Sequence, residues 1–187
     1  MENINIGIIG VGAVADRHIN CIKEDGRAEV SWLCDLNEDT LNEKMKKHKI
    51  EQGTTDYFEL LADSELDAVI ISTPPNTHAK IFLDSIEAKK HILLEKPMCT
   101  NREEIELIMK AAKENKELVL LDPSCRHARL QPKYRYIKKM IDEGKLGDIY
   151  YIHHNHVMRQ KRNGIECNPT AKWFLDKKFA VAGPMID

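Results

Sequence analysis

The chain has 187 residues, of which 42% are apolar and 31% charged, and its formal net charge is −2. That length holds one large domain, or one domain and part of another, with the composition of an ordinary soluble globular protein. The near balance of charge leaves no basic footprint for nucleic acid or an anionic membrane, and no apolar run approaches the roughly 18 residues of a membrane span. With no basic region leading into an apolar block at the N-terminus, a cytoplasmic protein is expected. Cys21, Cys34, Cys99, Cys125 and Cys167 are scattered and form no Cys-x-x-Cys pair, which points to reduced structural thiols.

The apolar run Ile4–Ile9 reads as a strand and delivers the chain into Gly10-Val11-Gly12-Ala13-Val14-Ala15. Gly10 allows a tight turn, Gly12 lets the backbone approach a pyrophosphate, and Ala15 permits close packing of the following helix on the strand. The helix presents its amide-rich positive end to the anion. A glycine turn of this kind also serves nucleoside-binding methyltransferases, so the context has to carry the inference. The next β-run, Ala28–Cys34, ends in Asp35, at about the twenty-residue offset where a dinucleotide fold sets its ribose-binding carboxylate. Such a carboxylate accepts from ribose hydroxyls and repels a 2′-phosphate, favouring NAD over NADP. Asp35 can equally begin the next helix as its cap, with Asn37 as competitor.

A helix from Glu38 to Lys47 then leads to a short β-piece at Glu51–Thr54 and a helical turn at Tyr57–Leu61. A strand Ala68–Ser72, a helix Asn76–Ala88, a strand His91–Leu94, a helix Arg102–Asn115 and a strand Leu118–Leu121 follow. Six β-runs with intervening helices predict an α/β fold: a Rossmann-type doubly wound parallel sheet over residues 1–122. Pro132 suits the first turn of a further helix and Gly144 its left-handed cap. The β-type segment Asp148–Met158 reads as the first strand of a second sheet. Residues 159–187 are rich in turn formers and end on an apolar run, so residues 123–187 are expected to be the start of an α+β substrate domain, cut off before completion. An unpaired strand there would leave apolar surface and favour self-association into a homo-oligomer.

Three segments fall at the carboxyl ends of these strands, where open parallel sheets bind ligands. The first is the glycine turn. The second, Ser72-Thr73-Pro74-Pro75-Asn76-Thr77-His78, delays its helix until Asn76 or Thr77 can cap it. Asn76 and His78 can reach a cofactor ribose or a substrate; alternatively Asn76 is only a cap and His78 a solvated first-turn residue. The third is Glu95-Lys96-Pro97. Pro97 keeps Lys96 extended, so its ammonium can project into the crevice, bind an alcohol or carbonyl oxygen and exchange its proton, with Glu95 orienting the ribose or the lysine. The same three residues also make sense as a surface ion pair before a turn. Cys99 lies close enough to this segment to be considered as a thiol nucleophile.

Taken together, Gly10–Ala15 with His18, the terminal Asp35, Thr73–His78 and Glu95-Lys96-Pro97 resemble the glucose–fructose oxidoreductase and inositol dehydrogenase family. Arg129-Leu130-Gln131-Pro132 and Gly144–Ile149 resemble that family's lead-in to its second domain. The resemblance implies a nicotinamide-dependent oxidoreductase acting on a sugar, cyclitol or related polyol. It implies Lys96 as the catalytic lysine, Glu95 and Asn76 as cofactor contacts, and a cis peptide bond before Pro97. Ala182–Asp187 resembles the approach to the family's Asp-x-x-x-His signature, which makes Asp187 a second catalytic candidate. Thr73, Pro74, His78 and Pro97 complete the expected cofactor site.

Arg159, Arg162 and Trp173 are candidates for binding a hydroxylated or acidic substrate, with a solvated loop the alternative for these two arginines, and Arg129 is a further substrate candidate. His154 and His156 share a face if their segment is a strand, but no Cys, Asp or Glu is placed to complete a metal site, so none is expected. A non-catalytic NAD-binding sensor or structural module is the rival reading.

Overall fold

The structure is a computed structural model and describes residues 3–121 and 132–153. Its core is a six-stranded parallel sheet in the order β3-β2-β1-β4-β5-β6. The strands are β1 (Ile4–Ile9), β2 (Ala28–Cys34), β3 (Gln52–Thr54), β4 (Ala68–Ile71), β5 (His91–Leu94) and β6 (Leu120–Leu121). Helices α1 (Ala13–Asp25), α2 (Glu38–His48), α3 (Tyr57–Ala62), α4 (His78–Glu87) and α5 (Arg102–Glu114) connect them, and α6 (Pro132–Asp142) follows.

The strands are nearly continuous apolar runs because both sheet faces are covered. Alternation splits them into two cores. Ile8, Leu33 and Ile70 pack with Val11, Ala15, Ile19 and Leu41 of the α1 and α2 side. Ile9, Val69, Ile71, Ile92 and Leu94 pack with Leu60, Phe82 and Ile108 of α3, α4 and α5. Ala15 is fully buried, in the close-packing role expected of it.

Local chemistry sets the helix limits. The Asn37 side chain accepts from Thr40 N–H and caps α2, whose first turn carries Glu38 and Asp39 and whose last carries Lys46, Lys47 and His48, in accord with the helix dipole. Asn37, not Asp35, is therefore the cap. Asn101 caps α5 in the same way through Glu104 N–H. The expected cap at Asn76 or Thr77 is absent: the chain enters α4 through a 3₁₀ turn at Pro75–Thr77, and the Thr77 hydroxyl turns back to within 2.7 Å of Pro74 O and of Thr73 Oγ1. Pro132 opens α6, and Gly144, at φ +67°, lies in the left-handed region beyond its end as expected.

One expectation about a strand needs correction. β6 is shorter than Leu118–Leu121, because Leu118 N–H closes a turn onto Asn115 O and Val119 N–H donates to His91 Nδ1. Residues 148–153, the described part of the expected second-sheet strand, pair with no strand among the described residues, and Tyr150, Tyr151 and Ile152 are strongly exposed. The remainder of that segment lies outside the described residues.

Candidate nucleotide-binding and catalytic site

Strand order reverses between β1 and β4, which opens a crevice at the carboxyl ends of the strands. The glycine turn after β1 enters this crevice. Gly10 has φ +88°, and a Cβ there would sit 2.8 Å from the backbone of Ser72 and Thr73. Ser72 N–H donates to Ile9 O and its hydroxyl to Gly10 O, so the turns after β1 and β4 are bound directly to each other. Gly12 is the N-cap of α1, has no side-chain capping bond, and a Cβ there would meet nothing within 4 Å. The helix start thus offers backbone N–H groups beside open space, the arrangement an incoming phosphate requires.

Asp35 holds the next wall. Its Oδ2 accepts from Val11 N–H at 2.8 Å and its Oδ1 from Asn37 N–H at 2.9 Å. Each carboxylate oxygen keeps a further lone pair for a ribose hydroxyl. A second acid, Asp16, stands in the first turn of α1, where a bare negative charge would oppose a phosphate. It is matched by Lys44, Lys47 and His48 at 2.7–2.8 Å. Burial alone would raise its pKa; those three partners outweigh it and hold the Asp16 carboxyl well below the usual carboxylate range.

The third wall is Glu95-Lys96-Pro97. Glu95 is 6% exposed, and its backbone N–H extends the ladder to Ile71 O. Its Oε1 lies 2.9 Å from His18 Nε2 on α1, and its Oε2 accepts from Lys96 N–H. A surface ion pair before a turn is therefore the wrong description of Glu95. The Lys96-Pro97 bond is cis, as the resemblance implied. His78 is neither a solvated residue nor a side chain reaching into the crevice. It is 1% exposed, with Nδ1 2.8 Å from Pro97 O and Nε2 2.8 Å from Thr73 O, bracing the second and third segments from beneath. Burial pushes its imidazole towards the neutral form, against the carbonyls it faces. Asn76 stays exposed at the crevice rim.

Of the described cysteines, Cys34 and Cys99 are buried and Cys21 is exposed. Burial pushes the Cys34 thiol up to about 12, aided by the negative charges of Asp35, Asp56 and Glu59. Cys99 is buried with Sγ 3.6 Å from Asn101 O. Among the described residues no group of His, Cys, Asp and Glu is arranged to hold a metal, and no helix is long and apolar enough to cross a membrane. Arg129, Arg159, Arg162, Trp173, Asp187, His154 and His156 lie outside the described residues.

Sequence reading missed two features of this site: the Asp16 cluster, whose partners come from a different helix, and the pairing of His18 with Glu95. The sequence signal for the second was His18 itself, grouped with the glycine turn by resemblance and given no role.

Strand order, the glycine turn opening α1, and an acid ending β2 together define a dinucleotide-binding domain. The family model for oxidoreductases with an NAD-binding Rossmann fold matches residues 4–122, and the chain belongs to that family. It is 30% identical over 151 residues to the uncharacterized oxidoreductase YrbE of Bacillus subtilis, covering 81% of this chain and 43% of that one. It is 28% identical over 149 residues to myo-inositol 2-dehydrogenase of Thermotoga maritima, covering 80% and 44%. Among solved structures, scyllo-inositol dehydrogenase from Lactobacillus casei with bound NAD(H) and scyllo-inositol superposes with a TM-score of 0.72 at 27% identity, covering 79% of this chain and 43% of that one. The chain thus spans less than half the length of these relatives.

Proposed function

We propose that this chain binds NAD(H) in preference to NADP(H) and belongs to an oxidoreductase that acts on a hydroxyl or carbonyl carbon of a polyol, a cyclitol or a sugar. The observation that carries the reading is the convergence of the Gly12 helix start, the Asp35 carboxylate and Glu95-Lys96-Pro97 around one crevice. The bound nicotinamide would supply or accept the hydride. The chain's own residues do the rest. Gly10 and Gly12 admit the pyrophosphate to the start of α1, and Asp35 accepts from the ribose and repels a 2′-phosphate. Lys96 holds the substrate oxygen and exchanges its proton. The polyol class rests on the relatives, two of which are named for inositols.

Lys96→Met, assayed in the intact protein, is expected to lower polyol-dependent reduction of NAD by about a thousandfold or more, as loss of both proton transfer and charge stabilisation would. The NADH dissociation constant should stay within about threefold, since uniform cofactor binding does not need the ammonium. A fully active Lys96→Met protein would remove the lysine from the reaction.

A further inference from the structure

We propose that His18 is a positioning residue that couples the nucleotide-binding turn to Lys96 through the buried carboxylate of Glu95; this rests on the function proposed above. The two parts of such a reaction hang on different elements. The cofactor's phosphates belong to the turn between β1 and α1, whereas the lysine belongs to the end of β5. Hydride and proton transfer require the two to be registered within a fraction of an ångström.

A side-chain contact joins α1 to this segment directly, His18 Nε2 to Glu95 Oε1 at 2.9 Å, beside the longer path from Gly10 through Ser72, Thr73 and His78 to Pro97. The other carboxylate oxygen takes Lys96 N–H at 3.1 Å. A carboxylate that is only 6% exposed needs donors to remain charged, and His18, with its side chain 18% exposed at the crevice edge, supplies one from a separate element. On the far side of the lysine, Pro97 O lies 2.8 Å from His78 Nδ1. The Glu95–Lys96 peptide is thereby tied to Glu95 and His18, the Pro97–Met98 peptide lies against His78, and of these two histidines His18 is the one on α1, the helix that faces the phosphates. Glu95 acts by orienting the peptide that carries Lys96. Movement of α1 when a nucleotide binds is transmitted to that peptide.

Trace acetylation of the 187-residue chain, read by mass spectrometry as Lys96 labelling relative to the exposed Lys110, tests this with and without saturating NADH. In the unmodified chain NADH is expected to protect Lys96 by about fivefold or more, the lower range for linked sites. His18→Leu should bind NADH within about threefold of the unmodified chain yet lose most of that protection, while His18→Gln, whose amide can donate to Glu95, should retain it. The coupling is overturned if His18→Leu keeps full protection, or if His18→Gln loses it as completely as His18→Leu. An unmodified chain that binds NADH without protecting Lys96 would instead overturn the placement of the lysine beside the nicotinamide, and the coupling with it. Should circular dichroism reveal that His18→Leu is unfolded, His18→Asn, with too short a side chain to reach Glu95, replaces it with the same two outcomes.

Discussion

Gly10 meets two separate demands at one position. Its φ of +88° is a conformation that L side chains rarely adopt, and any Cβ would be pressed against the Ser72 and Thr73 backbone. Gly10→Ala is therefore expected to cost about 2–4 kcal/mol, from left-handed strain together with overlap that no side-chain rotation relieves. A urea midpoint lowered at unchanged slope would establish this; a wild-type midpoint would mean that the two turns are not in contact. The first demand was legible in the sequence, because a strand ending in Gly-x-Gly announces a tight turn. The second was not, since it depends on a loop that returns 62 residues later. His78 makes the same point. Its place in the motif was readable, but whether the ring faced solvent, cofactor or protein depended on where Thr73 and Pro97 came to lie.

The elements follow from local patterns wherever those patterns are strong. Continuous apolar β-type runs and the polar cap at Asn37 brought the predicted limits of β1, β2, β5 and α2 to within a residue of those observed. They failed where a competing hydrogen bond intervened, as at Thr77 and at Val119. The α1–α2 contact through Asp16 is of another kind, because it joins residues about thirty apart that no local pattern links. Asp16 keeps its charge in the folded state to lower pH than in the unfolded one. Its contribution is thus fully present above the ordinary carboxylate pKa of about 3.9 and is lost as the pH falls below that value. Asp16→Asn should destabilise the chain by about 1–3 kcal/mol at neutral pH, a difference that starts to narrow as the pH falls below about 3.9. Urea melts from pH 7 down to pH 3 measure it, and a pH-independent difference would dissociate the effect from ionisation.

At the scale of the whole molecule, the nucleotide-binding sheet is built as its alternating pattern implied, whereas residues 148–153 carry exposed apolar side chains with no strand beside them among the described residues. Tyr150 is 98% exposed and Ile152 72%. We expect the 187-residue chain to self-associate through this segment. The double change Tyr150→Ser and Ile152→Ser should weaken association about tenfold or more, given the area two such side chains remove from water. Sedimentation equilibrium distinguishes this from a chain that stays monomeric with or without the substitutions.

The most direct test of the central claim is a paired titration of the folded chain with NADH and NADPH, followed by nicotinamide fluorescence and repeated on Asp35→Ala. The arrangement of Gly12, Val11 and Asp35 leads us to expect NADH to bind at least about tenfold more tightly than NADPH, with the preference collapsing in Asp35→Ala as the ribose acceptor and the repulsion of a 2′-phosphate disappear together. Equal affinity for the two nucleotides, or a preference that survives the loss of Asp35, would contradict the assignment of this crevice to NAD.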